Sequence, residues 1–500
     1  MTVLKLVRVL VQVLRSGLIP WRLTHWNSIY TAWKNCGPGF AFLSEVAAAR
    51  FGERIALIDD DGPLSFSELH LDVQSAAGFL HRRGVQPNQT IAILFSNHRG
   101  FVIALLATTR LGADVLPLNP GLPPNKLKEI LSAQKVDLLL HENEFEHSEE
   151  IDPMLDSLPY SQIESGPTSL PPTPRAGQLA VLTSGTTGVS KAARRRPGVF
   201  ELLPVTSGLL RDLPLKMYQP SALAIPFYHG YGIATLALSL AMGSALHTSR
   251  RYKIGPILER IESSEPAVLI TVPTLLWRWL KESPDKPTLA AIITGSAPLD
   301  ATLCDNLLER FGPILFNLYG STEVGLIALA TPRMLQQTPG CVGLPLPGNE
   351  VRVVGPNRGI GKLEARGPLV LQPRADGWRD TGDLGRFEND FLVVCGRADS
   401  MIVSGGENVY PHELEEALSA HPALTDVGVL VLADKEFGQR LVAAVVRQED
   451  SDLTESELKT WLSERLERFK LPRSIHFMKQ IPRNALGKLD RRELGAAIDA

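Results

Sequence analysis

Apolar and polar positions along most of the chain follow the two periods that separate helices from strands. LSFSELHLDVQSAAGFLHRRG (64–84) carries apolar residues three and four apart and predicts an amphipathic helix. Ser65 and Glu68 form a capping box at its start, and Gly84 is its stop. IAILFS (91–96), ADVLPLN (113–119) and VDLLLH (136–141) are apolar runs of strand length. GFVIALLATTRLG (100–112) and NKLKEILSAQ (125–134) lie between them as helices. Such alternation predicts a largely parallel sheet with helices on both faces.

Six prolines interrupt the rhythm within residues 151–177, which read as an irregular connector. Alternation resumes at LAVLTSGTTG (179–188) and runs to about residue 330. EVRVVG, KLEARG and FLVVCG then predict short strands joined by turns, a small β-rich piece. The last hundred residues predict a separate unit, from PHELEEALSA (411–420) to SIHFM (474–478). The fold class expected is α/β. A large N-terminal domain holds doubly wound, largely parallel sheets and the β-rich piece, and a small C-terminal α+β domain follows. The expected divisions are 1–40, 41–398 and 399–500.

Composition narrows the function classes. With 500 residues, 44% hydrophobic and 21% charged, a mostly disordered chain is excluded. A formal charge of −3 lacks the basic excess of a nucleic-acid binder. Cys36, Cys304, Cys341 and Cys395 lie far apart without a CxxC pair. That argues against a zinc site or disulfide framework and for a reducing, cytoplasmic setting. No apolar run is long enough to span a bilayer. The first 20 residues nevertheless place Lys5, Arg8, Gln12 and Arg15 on one helical stripe, with apolar residues around the rest. Trp21, Trp26 and Trp33 follow. Two readings stay open: peripheral contact with the inner membrane face, or a helix docked on the protein's own body.

The segment richest in chemistry is VLTSGTTGVSK (181–191). Glycines let successive N–H groups converge on phosphate oxygens, the hydroxyls add donors, and Lys191 adds a compact cation. It is not a Walker loop, because Ser190 precedes the lysine and Ala192 follows it. No GxGxxG is present either.

This loop resembles the phosphate-binding loop of the adenylate-forming superfamily, which holds acyl-CoA synthetases, peptide-synthetase adenylation domains and luciferases. Five further segments resemble that family in type and order. They are PFYHGYG (226–232), ITGSAPL (293–299), NLYGSTE (317–323), DTGDLG (380–385) with GRADSMIVSGGENVYPHELE (396–415), and PRNALGKLDRREL (482–494). The resemblance spans roughly residues 40–495. Ser190 and Ala192 depart from the family's usual Pro and Gly without removing a donor or a charge.

The resemblance implies that a carboxylate is joined to ATP, giving an acyl-adenylate and pyrophosphate. Thr183, Ser184, Gly185, Thr186, Thr187, Gly188 and Lys191 would hold the β- and γ-phosphates. Glu323 would hold Mg²⁺ as a hard carboxylate ligand, and Thr322 would touch the α-phosphate. Asp383 and Arg397 would bind the ribose. Tyr319, beside Gly320, would stack on adenine, with Asn317 and the turn Gly295, Ser296, Ala297 near its edge. Lys488 would bridge carboxylate and α-phosphate. Asp399 would be the hinge of a mobile C-terminal domain, and Ser404, Gly405 and Gly406 would lie along the pantetheine of CoA.

PFYHGYG offers no acid to pair with an α-ammonium, so an amino-acid substrate is disfavoured. His229 in that segment reads equally as a gate of the acyl pocket or as a satisfied core histidine. SNHRGF and KAARRRP are similar to segments of actinobacterial long-chain acyl-CoA synthetases. The expected activity is an acyl-CoA synthetase for a medium- or long-chain fatty acid or other apolar carboxylate, with ATP, Mg²⁺ and CoA. Two alternatives stand beside it: an acyl-AMP ligase loading an acyl carrier protein, and a silent nucleotide- or acyl-binding protein on membranes.

Overall fold

Strands Thr90–Leu94 and Asp114–Leu118 are buried along their whole length, as runs without polar alternation must be when helices cover both faces. The computed structural model describes residues 16–18 and 23–499. Excepted are 123, 143–155, 164–165, 167–169, 174, 184–190, 196–198, 262–264, 283–286, 322, 358, 399–401, 405–406, 435–437, 450, 467–469 and 485–487. The segment 1–15, with the stripe of Lys5, Arg8, Gln12 and Arg15, lies outside the described residues.

Those two strands belong to a six-stranded sheet. A nine-stranded sheet lies beside it, and its middle strands Ser221–Leu223, Ala267–Ile270, Leu289–Gly295 and Leu315–Ser321 run parallel. One large core of side chains from both sheets joins them, including Phe95, Phe101, Phe227, Ile270 and Phe316. The β-rich piece is a four-stranded antiparallel sheet, Glu350–Asn357, Ile360–Arg366, Arg379–Glu388 and Phe391–Arg397. The last hundred residues build a five-stranded sheet with its own core of Ile402, Leu414, Val429, Leu441 and Leu458. The structure thus has the α/β class, the parallel sheets and the small C-terminal unit that the pattern predicts.

Local chemistry sets the ends. Helix Phe66–Arg82 starts at Ser65, whose hydroxyl accepts from Glu68 N while Glu68 closes the box on Ser65 N. Gly84 follows at φ +97°. Among the described residues of 151–177, Ser157–Pro159 forms a strand that extends the six-stranded sheet along Leu138–His141. Proline tolerates that position because it is an edge strand.

Helix Leu23–Cys36 is tied into the large domain rather than separate from it. The Asn35 carbonyl accepts from Thr173 N at 2.7 Å and from Arg110 Nη1 at 3.1 Å. Arg50 bonds the carbonyls of Gly17 and Leu18. All four cysteines are buried free thiols. Among the described residues no helix is long and apolar enough to cross a membrane.

Three histidines are held well below their ordinary value of 6.5. His247 and His412 lie at about 4, each through burial first and neighbouring cations second, and His229 does likewise. As pH falls, the unfolded chain takes up these protons before the folded one. Stability is therefore whole above about 6.5 and drains as pH falls toward 4, by up to about 1.4 kcal/mol per pH unit for each histidine. Thermal melts at about pH 7.5 and about pH 5 should show the drop, and His247→Gln should reduce it. A flat Tm across that window would contradict the burial argument.

Candidate active site

Strands Leu289–Gly295 and Leu315–Ser321 are parallel neighbours, with Thr294 opposite Asn317 and Gly295 opposite Leu318. Both therefore end at the same sheet edge, where open α/β sheets bind ligands. Gly295 belongs there because a Cβ on it would sit 2.8 Å from the Leu318 carbonyl oxygen. Ser296 turns the chain away at φ +65°, and Ala297 follows it.

Asn317 is buried. Its Nδ2 donates to the Cys341 carbonyl at 3.0 Å, and Oδ1 has no partner among the described residues. A buried acceptor left open is costly unless a ligand donor meets it. The exocyclic amino group of adenine is such a donor.

Two residues on, Tyr319 packs against Val324, Leu363 and Leu392, which fasten the nine-stranded sheet to the antiparallel one. Its hydroxyl donates to Asp383 Oδ2 at 2.6 Å. Asp383 and Arg397 are opposite partners on adjacent strands, and Arg397 Nη1 donates to Asp383 Oδ1 at 3.2 Å. Thr381 Oγ1 accepts from Asp383 N. Gly382, at φ +77°, leaves room for the guanidinium; a Cβ there would lie 2.6 Å from Arg397 Nη2.

Burial raises the Asp383 pKa, Tyr319 and Arg397 pull it back, and Glu323 pushes it up again. Burial and the Asp383 charge hold the Tyr319 phenol well above its ordinary value. Each carboxylate oxygen retains acceptor capacity for one ribose hydroxyl.

Glu323 stands just past that strand's end and precedes strand Gly325–Ala330. Ser321 Oγ donates to Glu323 Oε2 at 2.8 Å and accepts from Glu323 N, so the carboxylate is held in place. A hard, preoriented carboxylate beside the ribose pair fits a Mg²⁺ ligand. Among the described residues, Asp59, Asp61 and His98 also cluster. Arg99 holds both oxygens of Asp59, and Glu142 pairs with His98, so that group is an internal ion network.

His229 immediately precedes helix Gly230–Met242. Burial, then the Lys488 charge, bring its pKa to about 4, so it is neutral near pH 7. Lys488 comes from the C-terminal unit, and its backbone N–H donates to Asn484 Oδ1 at 3.0 Å. Desolvation of the ammonium lowers its pKa, Arg397 lowers it further, and Asp383 raises it, although much of the residue is exposed. Lys488, His229, Arg397 and Asp383 therefore share one electrostatic neighbourhood, although 259 residues separate His229 from Lys488.

The phosphate loop joins antiparallel strands whose ends, Thr183 and Lys191, are opposite partners. Ser184, Gly185, Thr186, Thr187 and Gly188 lie outside the described residues, as do Thr322, Asp399, Gly405 and Gly406. Ser404 and Glu407 are antiparallel partners in the C-terminal sheet.

Sequence reasoning missed three ties that position this site: Tyr319 to Asp383, Ser321 to Glu323, and Tyr231 Oη to the Ile293 carbonyl at 3.0 Å. Serine two residues before Glu323 was a readable signal. The other two join positions more than sixty residues apart and leave no local trace.

The open Asn317 acceptor, the doubly held Asp383 carboxylate and the Lys488 charge from a second unit make an arrangement that suits a nucleotide. The chain belongs to the AMP-binding enzyme family, matched over residues 44–372, with the AMP-binding enzyme C-terminal domain matched over 413–488. It is an ATP-dependent acid–thiol ligase of the adenylate-forming superfamily.

The 2-succinylbenzoate–CoA ligase of Bacillus subtilis (strain 168) is 29% identical over 88% of this chain and 95% of its own. The 4-coumarate–CoA ligase 2 of Oryza sativa subsp. japonica is 28% identical over 87% and 88%. Among solved structures, the o-succinylbenzoate CoA synthetase of Bacillus subtilis with its acyl-adenylate OSB-AMP aligns at a TM-score of 0.80. It is 27% identical over 90% of this chain and 97% of that one. The same synthetase has been solved with ATP and magnesium, also at 0.80. A double mutant of it with the product analogue OSB-NCoA aligns at 0.66.

Asp383→Ala removes the carboxylate that the resemblance assigns to the ribose. It should cost about 3 kcal/mol or more, over a hundredfold in kcat/KM for ATP. Tyr319→Phe keeps the ring and loses only the bond to Asp383, so about tenfold is expected, chiefly in KM for ATP. It should also shrink the penalty for replacing ATP by 2′-deoxy-ATP. Near-normal ATP kinetics in both variants would remove Asp383 from the ribose site.

Proposed function

We propose that this chain is an AMP-forming acid–CoA ligase for a compact apolar carboxylate, with an aryl acid as the first class to test. The observation that supports the reaction is that the charge of Lys488, from the C-terminal unit, acts on His229 and is itself acted on by Arg397 and Asp383. A carboxylate approaching an anionic α-phosphate needs a cation between them, and a lysine on a movable unit can supply it. ATP, Mg²⁺ and CoA are its cofactors. Glu323 and Thr322 would hold the metal and α-phosphate; Thr183, Ser184, Thr186, Thr187 and Lys191 would hold the β- and γ-phosphates. Bound Mg²⁺ supplies charge neutralisation of the phosphates.

Two observations favour a compact acid. The two relatives named above by substrate act on 2-succinylbenzoate and 4-coumarate, both aromatic acids. In this chain a hydrogen bond from Tyr231 to the Ile293 carbonyl ties helix Gly230–Met242 to strand Leu289–Gly295, and would resist their parting around a long acyl chain. The medium- or long-chain fatty acid becomes the second reading. It is favoured by the small, apolar make-up of GIATLALSLAM along that helix. Delivery to a carrier protein remains the alternative acceptor. Peripheral membrane contact through residues 1–20 belongs to the same proposal.

A panel of 2-succinylbenzoate, 4-coumarate, benzoate, octanoate and palmitate, scored by pyrophosphate release and thioester formation, tests the reading. Highest kcat/KM on an aryl acid with CoA supports it. Palmitate leading the panel, or thioester appearing only on a carrier's phosphopantetheine, would overturn it. Pyrophosphate release with none of them would overturn the compact-acid reading.

The two half-reactions need different arrangements, because ATP phosphates and the CoA thiol compete for one space beside the acyl carbonyl. The better alignment with the adenylate complex than with the product-analogue complex supports this. Lys488→Ala should slow acyl-adenylate formation by about 10²-fold or more. Supplied acyl-adenylate plus CoA should still react at close to the wild-type rate. Asp399→Pro, by restricting φ at the hinge, should do the reverse. Both half-reactions falling together in Lys488→Ala would sink the two-arrangement mechanism.

A further inference from the structure

Helix Leu23–Cys36 carries Trp26, Tyr30 and Trp33 at 48%, 62% and 56% exposure. At about 100° per residue they fall within an arc of roughly 60°. Asn27, Thr31 and Lys34 are exposed along one side of that arc, and Ala32 and Cys36 are buried on its other side. That buried face packs toward helix Phe40–Phe51. Among the described residues the other exposed large apolar side chains are Leu71, Tyr218, Leu344, Val354 and Phe387, scattered along the sequence. Three large rings concentrated on one outward stripe need a partner.

Charge identifies the partner. Residues 1–44 hold Lys5, Arg8, Arg15, Arg22 and Lys34 and not one acid. With −3 overall, the rest of the chain carries −8. A protein partner of the usual mixed charge needs no such segregation, whereas an anionic bilayer attracts a basic segment and repels the acidic remainder. The aromatic types agree: tryptophan and tyrosine present an apolar ring with one polar atom and settle at the headgroup boundary.

We infer that the Trp26–Tyr30–Trp33 face of helix Leu23–Cys36 is a docking surface for anionic membrane. It deepens the membrane contact proposed for residues 1–20 by placing a second, separate anchor on a helix fixed to the enzyme. Helix Phe40–Phe51 packs against both this helix and Gly230–Met242, the helix that begins beside His229. Docking there orients the acyl side of the site relative to the lipid, which suits an apolar carboxylate.

The test uses the full chain with phosphatidylcholine vesicles, alone or containing about one-third phosphatidylglycerol. Wild type should sediment with the mixed vesicles and release at high salt. The combined variant Trp26→Ser, Tyr30→Ser, Trp33→Ser should lose about tenfold or more of that binding while forming acyl-adenylate from a soluble acid at the wild-type rate. Should the triple variant fold poorly, brominated lipid gives a second measure: it should quench wild-type tryptophan fluorescence, and less so in Trp33→Phe.

Equal vesicle binding by wild type and triple variant would overturn the surface. So would quenching unchanged in both Trp26→Phe and Trp33→Phe. A wild-type dimer that ignores vesicles, with a monomeric triple variant, would assign the stripe to self-association instead. Loss of binding on deleting residues 2–20, with the triple variant unaffected, would leave the leader reading standing and this one refuted.

Discussion

Everything at the nucleotide end of this enzyme depends on how one buried carboxylate is held. Asp383 loses solvation by lying between two sheets, and burial alone would push it toward the neutral acid. A phenol from one sheet and a guanidinium from the strand opposite keep the charge in place and direct both oxygens. Removing either partner would leave a buried charge half-compensated, which is more damaging than the bond itself is stabilising. Tyr319 therefore fastens two sheets and fixes the carboxylate.

How much of this could be read from residues alone divides by distance along the chain. The Ser65–Glu68 box, the Gly84 stop and the alternation of apolar runs are interactions within a few positions, so their pattern is visible and the structure has them. The parallel sheets follow from the same alternation. Asp383 opposite Arg397 was partly legible, since both sat in motifs resembling one family. The Tyr319–Asp383 bond was not, because 64 residues separate the partners and nothing local marks the tyrosine's second task.

Helix Leu23–Cys36 shows a different limit. Its tryptophans drew attention, yet the pattern could not say which face the fold would cover. Asn35, through bonds to Thr173 and Arg110, decides that. Once the helix is pinned there, the aromatic arc has to face outward. The proline count in 151–177 likewise suggested disorder of pattern, while an edge strand can absorb proline without losing its partner.

The electrostatics of the closed arrangement explain why a second unit is needed at all. In this structure desolvation first and the Arg397 charge second lower the Lys488 pKa, with Asp383 the opposing charge that raises it. His229 escapes the conflict only by staying neutral. Without a polyanion this is an expensive way to place a lysine. Phosphates between them would reverse the balance, raising the Lys488 pKa toward its ordinary value and favouring closure. Loss of pyrophosphate would remove most of that negative charge and restore the repulsion between Lys488 and Arg397. The charge state of the nucleotide would then bias the C-terminal unit, closed over the triphosphate and released once the adenylate has formed. A lysine fixed permanently on the large domain could neutralise the phosphate equally well, but it would stay where the thiol must enter.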